Sequence, residues 1–149
     1  LENSHFDTFL FDVVRFYSDR KAKDILKLLK YLIGNVDNSE IIRYLLCESN
    51  PAFHLRNKKK QNTLIRNTVD IITEITKSGS KEKVKDNFDS IVAFLLDYID
   101  SKDTKIRRAV ILELVELSFV LEDETNQVVN DKLNKVQQKL VNFYREQRK

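Results

Sequence analysis

Leu64-Ile65-Arg66-Asn67-Thr68-Val69-Asp70-Ile71-Ile72-Thr73-Glu74-Ile75, residues 64–75, is echoed 42 residues later by Ile106-Arg107-Arg108-Ala109-Val110-Ile111-Leu112-Glu113-Leu114-Val115-Glu116-Leu117. At that offset Leu64 aligns with Ile106, Val69 with Ile111, Ile72 with Leu114 and Ile75 with Leu117, and Arg66 falls on Arg108. Both stretches have their apolar residues at helical period. A looser match at an offset of 39 sets Ile25 on Leu64 and Ile33 on Ile72. Two helices per unit, recurring about every 40 residues, predict stacked hairpins, because each hairpin has an apolar face that it cannot bury alone.

Helical period runs through nearly the whole chain. The spacing predicts a first helix over about 5–17, with Phe6, Phe9, Leu10, Val13, Val14 and Tyr17 on one face and Asn3 or Ser4 as cap. A second helix is expected over about 19–33, with Gly34 just past its end in the left-handed conformation. Ser39 or Asn38 is expected to cap a short third helix, and Pro51 to end that region. Residues 49–61 read as a loop containing the basic run Arg56-Asn57-Lys58-Lys59-Lys60. Further helices are expected over about 62–76, 81–99 and 104–121, with Ser80 as a cap. Glu122-Asp123-Glu124 reads as a turn, followed by one last helix over about 125–145 with the stripe Val129, Leu133, Val136, Leu140 and Phe143. That stripe spans barely two heptads, so it predicts a cap on the stack rather than a coiled coil. Three hairpins follow, at about 5–34, 39–76 and 81–121, and the whole chain, residues 1–149, reads as one all-α domain.

Composition narrows the function classes. The 149 residues contain two glycines and one proline, too little punctuation for a sandwich or barrel. With only Gly34 and Gly79, neither a Walker loop nor a dinucleotide fingerprint can be built, since each needs clustered glycines. The single cysteine excludes an internal disulfide framework and suits a reducing compartment. The net charge of +3, from 26 basic and 23 acidic residues, argues against nucleic acid as partner. The most apolar stretch, Ala109 to Leu121, is interrupted by Glu113 and Glu116, and no run is long enough for a membrane span. The amino-terminal segment lacks the basic region of a signal peptide. The opening at Leu1 suggests a fragment of a longer chain, with Leu1-Glu2 as a cloning scar.

Asp100-Ser101-Lys102-Asp103-Thr104-Lys105-Ile106-Arg107-Arg108-Ala109-Val110 resembles the turn inside a HEAT repeat, where acidic and hydroxyl residues precede a hydrophobic-Arg-basic-Ala helix start. Together with the close Lys139-Leu140-Val141-Asn142-Phe143-Tyr144 and the basic residues after it, the span 82–149 resembles the C-terminal domain of the CLASP family of microtubule-associated proteins. The resemblance extends in pattern back to about Asn38. It implies a HEAT-repeat, TOG-like α-solenoid of three hairpins plus a capping helix. It also implies a docking module for kinetochore, spindle or plus-end proteins, capable of self-association, with microtubules reached through the full-length parent. The implied location is the cytoskeleton of cytoplasm and nucleus, at spindle and kinetochore.

The competing expectation is direct binding of tubulin, as TOG domains do. Such domains carry a Trp in the first inter-helix turn, and this chain has no Trp. A third possibility is a HEAT scaffold in an unrelated assembly. Candidate partner-binding residues are the surplus aromatics Phe11, Phe16 and Tyr17 and the turn cations Lys58, Lys59, Lys60, Lys102, Lys105 and Arg108. For the aromatics the alternative is packing within the chain; for the cations it is solvation of helix starts. Arg107, four residues after Asp103, reads as structural. No catalytic set assembles from His5, Cys47 and His54, a metal site lacks ligands, and no cofactor is implied. Cys47 is expected to be a small buried hydrophobe. Glu113 and Glu116 are expected to be solvated.

Overall fold

The two segments that share the 42-residue pattern are helices lying against each other, and they form the most extensive helix pair in the molecule. The computed structural model describes residues 3–17, 22–48, 50 and 53–149, with side chains from Phe9 to Tyr17, Asp24 to Glu48, Asn50, and Phe53 onward. Among these residues there are nine helices and no strand. They are α1 (Asn3–Phe16), α2 (Ala22–Asn35), α3 (Asn38–Leu46), α4 (Lys58–Ser78), α5 (Lys81–Asp86), α6 (Phe88–Tyr98), α7 (Thr104–Val120), α8 (Glu122–Lys132) and α9 (Lys135–Arg148). α4 and α7 are central: α1 and α2 pack on α4, α8 and α9 pack on α7, and α3 packs on α5 and α6. The seam is apolar as the alignment implies, with Val69, Ile72, Ile75, Val110, Leu114 and Leu117 fully buried.

Several boundaries differ from the sequence reading, each for a local hydrogen-bonding reason. Gly34 lies inside α2 and has no positive φ. The last turn is closed instead by the Val36 amide on the Leu32 carbonyl (2.8 Å) and by the Asn35 side chain on Tyr31 (2.8 Å). The cap of α3 is Asp37, whose carboxylate accepts from the Ser39 amide, while Asn38 turns inward. Lys58-Lys59-Lys60 is not loop but the first turn of α4, because Asn57 caps the Lys60 amide (3.1 Å). Ser80 does cap α5, accepting from Lys83. The helix expected over 81–99 breaks at Asn87, whose side-chain amide donates to the Ser39 hydroxyl and the Lys83 carbonyl and so competes with the helix ladder. Asn3 and Ser4 fall within α1, and their side chains, the start of the second helix at Asp19, and Pro51 all lie outside the described residues.

The final helix is two. Leu133 is extended, and Asn134 with Gln137 forms a reciprocal capping box that starts α9 afresh. Glu122-Asp123-Glu124 is the first turn of α8, where carboxylates suit the helix dipole. The restart changes the phase of the apolar stripe. Val129 and Leu133 are buried, but Val136, Leu140 and Phe143 are 68%, 41% and 57% exposed, and α9 instead turns Val141 and Tyr144 inward.

Gly79 ends α4 with φ −90°, so a left-handed turn is not what it provides. A Cβ there would sit 2.5 Å from the Ile75 carbonyl and 2.6 Å from the Asn38 side-chain oxygen. Gly79→Ala is therefore expected to lower stability by about 1–3 kcal/mol, the usual range for overpacking, read as a drop in thermal midpoint. An unchanged midpoint would show that this turn has room to relax.

Candidate interaction surface

The candidate cations, far apart in sequence, lie along one edge. α4 begins with Lys58-Lys59-Lys60 and α7 with Thr104-Lys105, and the side-by-side packing of the two helices brings their starts together. A hollow of about 480 Å³ is lined by Lys58 and Lys102 with Tyr98. A second, about 350 Å³, is lined by Lys59, Arg66 and Lys105, and a third, about 320 Å³, by Arg66, Lys105 and Arg108. The loop before α4 is anchored by Gln61 donating to the Phe53 carbonyl (2.9 Å) and by Phe53 packing on Phe94, which in turn packs on Tyr98. The basic run is thus presented from a held position.

Like α1 and α9, α4 and α7 have no acid in the first turn, whereas α2, α3, α5, α6 and α8 each do. A cation at a helix start opposes the dipole by about 0.3–1 kcal/mol. None of Lys58, Lys59, Lys60, Lys102, Lys105 or Arg108 pairs with a carboxylate among the described residues. Two acids interrupt the edge. Asp103 caps the Ile106 amide (3.0 Å), and the half-buried Asp70 has its carboxyl pushed up by burial, with Arg66 opposing. Arg107 is structural, but through different partners from those expected: it donates to the Ser101 carbonyl (2.6 Å) and the Thr104 hydroxyl (3.2 Å) rather than to Asp103.

The aromatic candidates divide. Phe11 is half-buried and lines a broad groove of about 780 Å³ with Arg15, Lys59 and Lys60, so it joins the basic edge. Phe16 is exposed and covered on one face by the Arg15 guanidinium, 4.4 Å from the ring centre. Tyr17 packs on the core beside α4, where burial, Glu74 and Asp70 push its hydroxyl up to about 12, so it stays neutral. Phe16 and Tyr17 line none of these hollows.

A further groove was not foreseen. About 390 Å³ in volume, it lies between α7 and α9. Its apolar lining is Ile99, Ile111, Val136, Leu140 and Tyr144, and Asp100, Arg107 and Arg108 form its charged margin. The signal for it was the Asn134-to-Gln137 capping box, which resets the phase of α9 and leaves Leu140 outward. Nearby, Phe119 is held under the guanidinia of Arg145 (5.3 Å) and Arg148 (5.5 Å), while Arg148 also donates to Glu116 (2.7 Å). Those contacts staple the last turn of α9 onto α7.

Both carboxylates expected in solvent are inside: Glu116 is buried under Arg148, and Glu113 is 0% exposed at the α4–α7 seam. They sit there because the broad apolar face of α7 is enclosed from several sides by α4, α6, α8 and α9. Cys47 is exposed, since it is the extended residue just beyond α3 and off that helix's buried stripe. The ring of His54 lies against the Glu48 carbonyl. Among the described residues no group of three or more His, Cys, Asp or Glu could hold a metal ion, and no helix is long and apolar enough to cross a membrane. The sequence matches no protein-family model and no curated protein.

Proposed function

We propose that this chain is a non-catalytic docking module of a CLASP-like microtubule-stabilising protein, attaching its parent to kinetochore, spindle or plus-end partners. One observation carries the reading. The two motifs on which the resemblance rests, around Asp100–Arg108 and Lys139–Tyr144, contribute to one groove with an apolar floor and a charged margin. That is the anatomy of a protein interface. In this reading α3–α4 and α6–α7 are successive hairpins of a HEAT-type stack, with α8 and α9 covering its end. The occupant is an amphipathic partner helix that places an aliphatic or aromatic anchor against Leu140 and an acid toward Arg108. The module works in cytoplasm and nucleus, at the spindle and kinetochore.

Leu140→Glu is expected to change the thermal midpoint little, because the side chain is substantially exposed, yet to weaken capture of kinetochore and plus-end proteins by at least about tenfold, as loss of a central apolar anchor does. Equal capture by parent and variant would sink the groove. Mixing with tubulin heterodimer tests the competing reading, which is favoured by the clustering of Lys58–Lys60 with Lys102 and Lys105. Co-elution lost in Lys105→Glu/Arg108→Glu would replace docking by direct tubulin binding. Light scattering at high concentration reads self-association, and a clean monomer would remove that part.

A further inference from the structure

Lys59 and Lys105 face a shared polar hollow of about 350 Å³, whose lining also includes Asn62, Thr63, Arg66 and Thr104. Three cations around one hollow repel one another, and no carboxylate among the described residues pairs with Lys59 or Lys105. The buried Nε of Arg66 lacks a hydrogen-bond partner. The positive ends of the α4 and α7 dipoles add to the same potential. The one carboxylate lining the hollow, Asp103, is engaged in capping the Ile106 amide, and Arg66 acts on Asp70 in the next hollow, so the three cations keep a surplus of positive charge that a ligand carboxylate would offset.

We propose that this hollow binds a carboxylate side chain of an acidic polypeptide segment, which lies along the edge toward Arg108. The ligand would accept hydrogen bonds from the Lys59 and Lys105 ammonium groups and the Arg66 guanidinium, with Asn62 and Thr104 as neutral donors, the Thr63 hydroxyl being engaged with the Lys59 carbonyl. Arg66 and Lys105 also line the adjoining hollow with Arg108, so a segment can continue without leaving cationic surface. A polypeptide fits better than a nucleic acid for two reasons. Asp103 lines this hollow and Asp70 the next, so the positive charge is interrupted; a peptide can place neutral residues there, whereas a phosphate backbone cannot. The rings beside these hollows, Tyr98 and, in the adjoining groove, Phe11, are both half-buried against the core, which leaves no open stacking platform for bases. This inference goes beyond the groove under Leu140, which does not line this hollow.

The test is fluorescence anisotropy with a labelled poly-glutamate peptide of about twelve residues and the full 149-residue chain at low salt. Binding is expected, weakening as salt rises. Lys59→Glu/Lys105→Glu is expected to reduce affinity at least about tenfold, and Lys59→Ala/Lys105→Ala by a smaller but clear factor. Lys27→Glu/Lys30→Glu, the same charge change on exposed positions of α2, should alter it less than about twofold. Leu140→Glu should leave peptide binding intact, so failure of the groove and failure of this site are separately visible. The proposal is overturned by no binding at about millimolar protein, by equal loss in the α2 control, or by an oligothymidylate of equal charge binding more tightly at the same residues.

Discussion

Glu113→Gln is expected to match the parent in stability at about pH 4 and to exceed it by on the order of 5 kcal/mol at pH 9. Glu113 is fully enclosed at the α4–α7 seam, and burial pushes its carboxyl from 4.5 up to about 8, with hydrogen bonds from Thr76 and Thr73 and the charge of Lys77 opposing and Glu116 adding. Hydrogen-bond accounting points the same way. The Thr76 hydroxyl has one proton and lies 3.0 Å from the Ile72 carbonyl and 2.7 Å from the Glu113 carboxyl. If that proton goes to the carbonyl, the short contact to Glu113 needs a proton on the carboxyl, donated to the Thr76 oxygen. Between the ordinary carboxyl value and about 8, the folded chain therefore holds a proton that the unfolded chain has released. The unfolding free energy falls as pH rises through that window and levels off above it. Gln, which never ionises, escapes the loss. Denaturant titrations of both proteins at several pH values check this, and parallel curves from pH 5 to 9 would show that Glu113 does not carry a buried proton.

Asn38→Ala is expected to cost about 2–4 kcal/mol, since it leaves one buried and two part-buried backbone groups without their partner at once. Asn38 is almost fully buried, and its amide donates to the carbonyls of Ile33 (2.8 Å) and Val36 (3.2 Å), while its oxygen accepts from the Ser80 amide (2.8 Å). One side chain thus joins the end of α2 to the turn between α4 and α5, 42 residues away. Asn38→Asp sharpens the test. It keeps the acceptor for Ser80 but turns a carboxylate toward two carbonyls, so it should destabilise more than alanine. The nearby exposed Asn35 makes one local bond, to Tyr31, and its replacement by alanine should cost about 1 kcal/mol or less. Equal effects at positions 35 and 38 would show that the bridge to Ser80 contributes nothing.

The helical class and most helix positions were legible because apolar residues recur at 3.6-residue period and short polar segments separate them. The seam residues Val69, Ile72, Ile75, Leu114 and Leu117 could be named in advance, and so could Asp103 and Ser80 at helix starts. Side-chain amides were harder to read. Asn38, Asn57, Asn87 and Asn134 each act on the backbone, yet one is a buried bridge, two are caps and one breaks a helix. The same residue type suits all these roles, and only its neighbours in space select among them.

The candidate surface was legible in part. The charges of Lys58–Lys60 and of Lys102, Lys105 and Arg108 are visible in sequence, but their adjacency depends on α4 lying beside α7. The groove under Leu140 depends on a phase reset at Asn134 that a single uninterrupted stripe conceals. What the sequence determined alone is therefore the local grammar: all-helical structure, the apolar seam and the absence of glycine-rich phosphate loops, each set by residues within a few turns of one another. What tertiary structure decided is which polar residues are enclosed. Glu113 and Glu116 are ordinary carboxylates on a helix until α4 and α9 close over them, and Leu140 is an ordinary heptad leucine until α9 turns it outward. Burial of the two carboxylates depends on segments far apart in the chain, which no local pattern encodes, whereas the outward turn of Leu140 follows from the local Asn134–Gln137 cap that the apolar stripe masks.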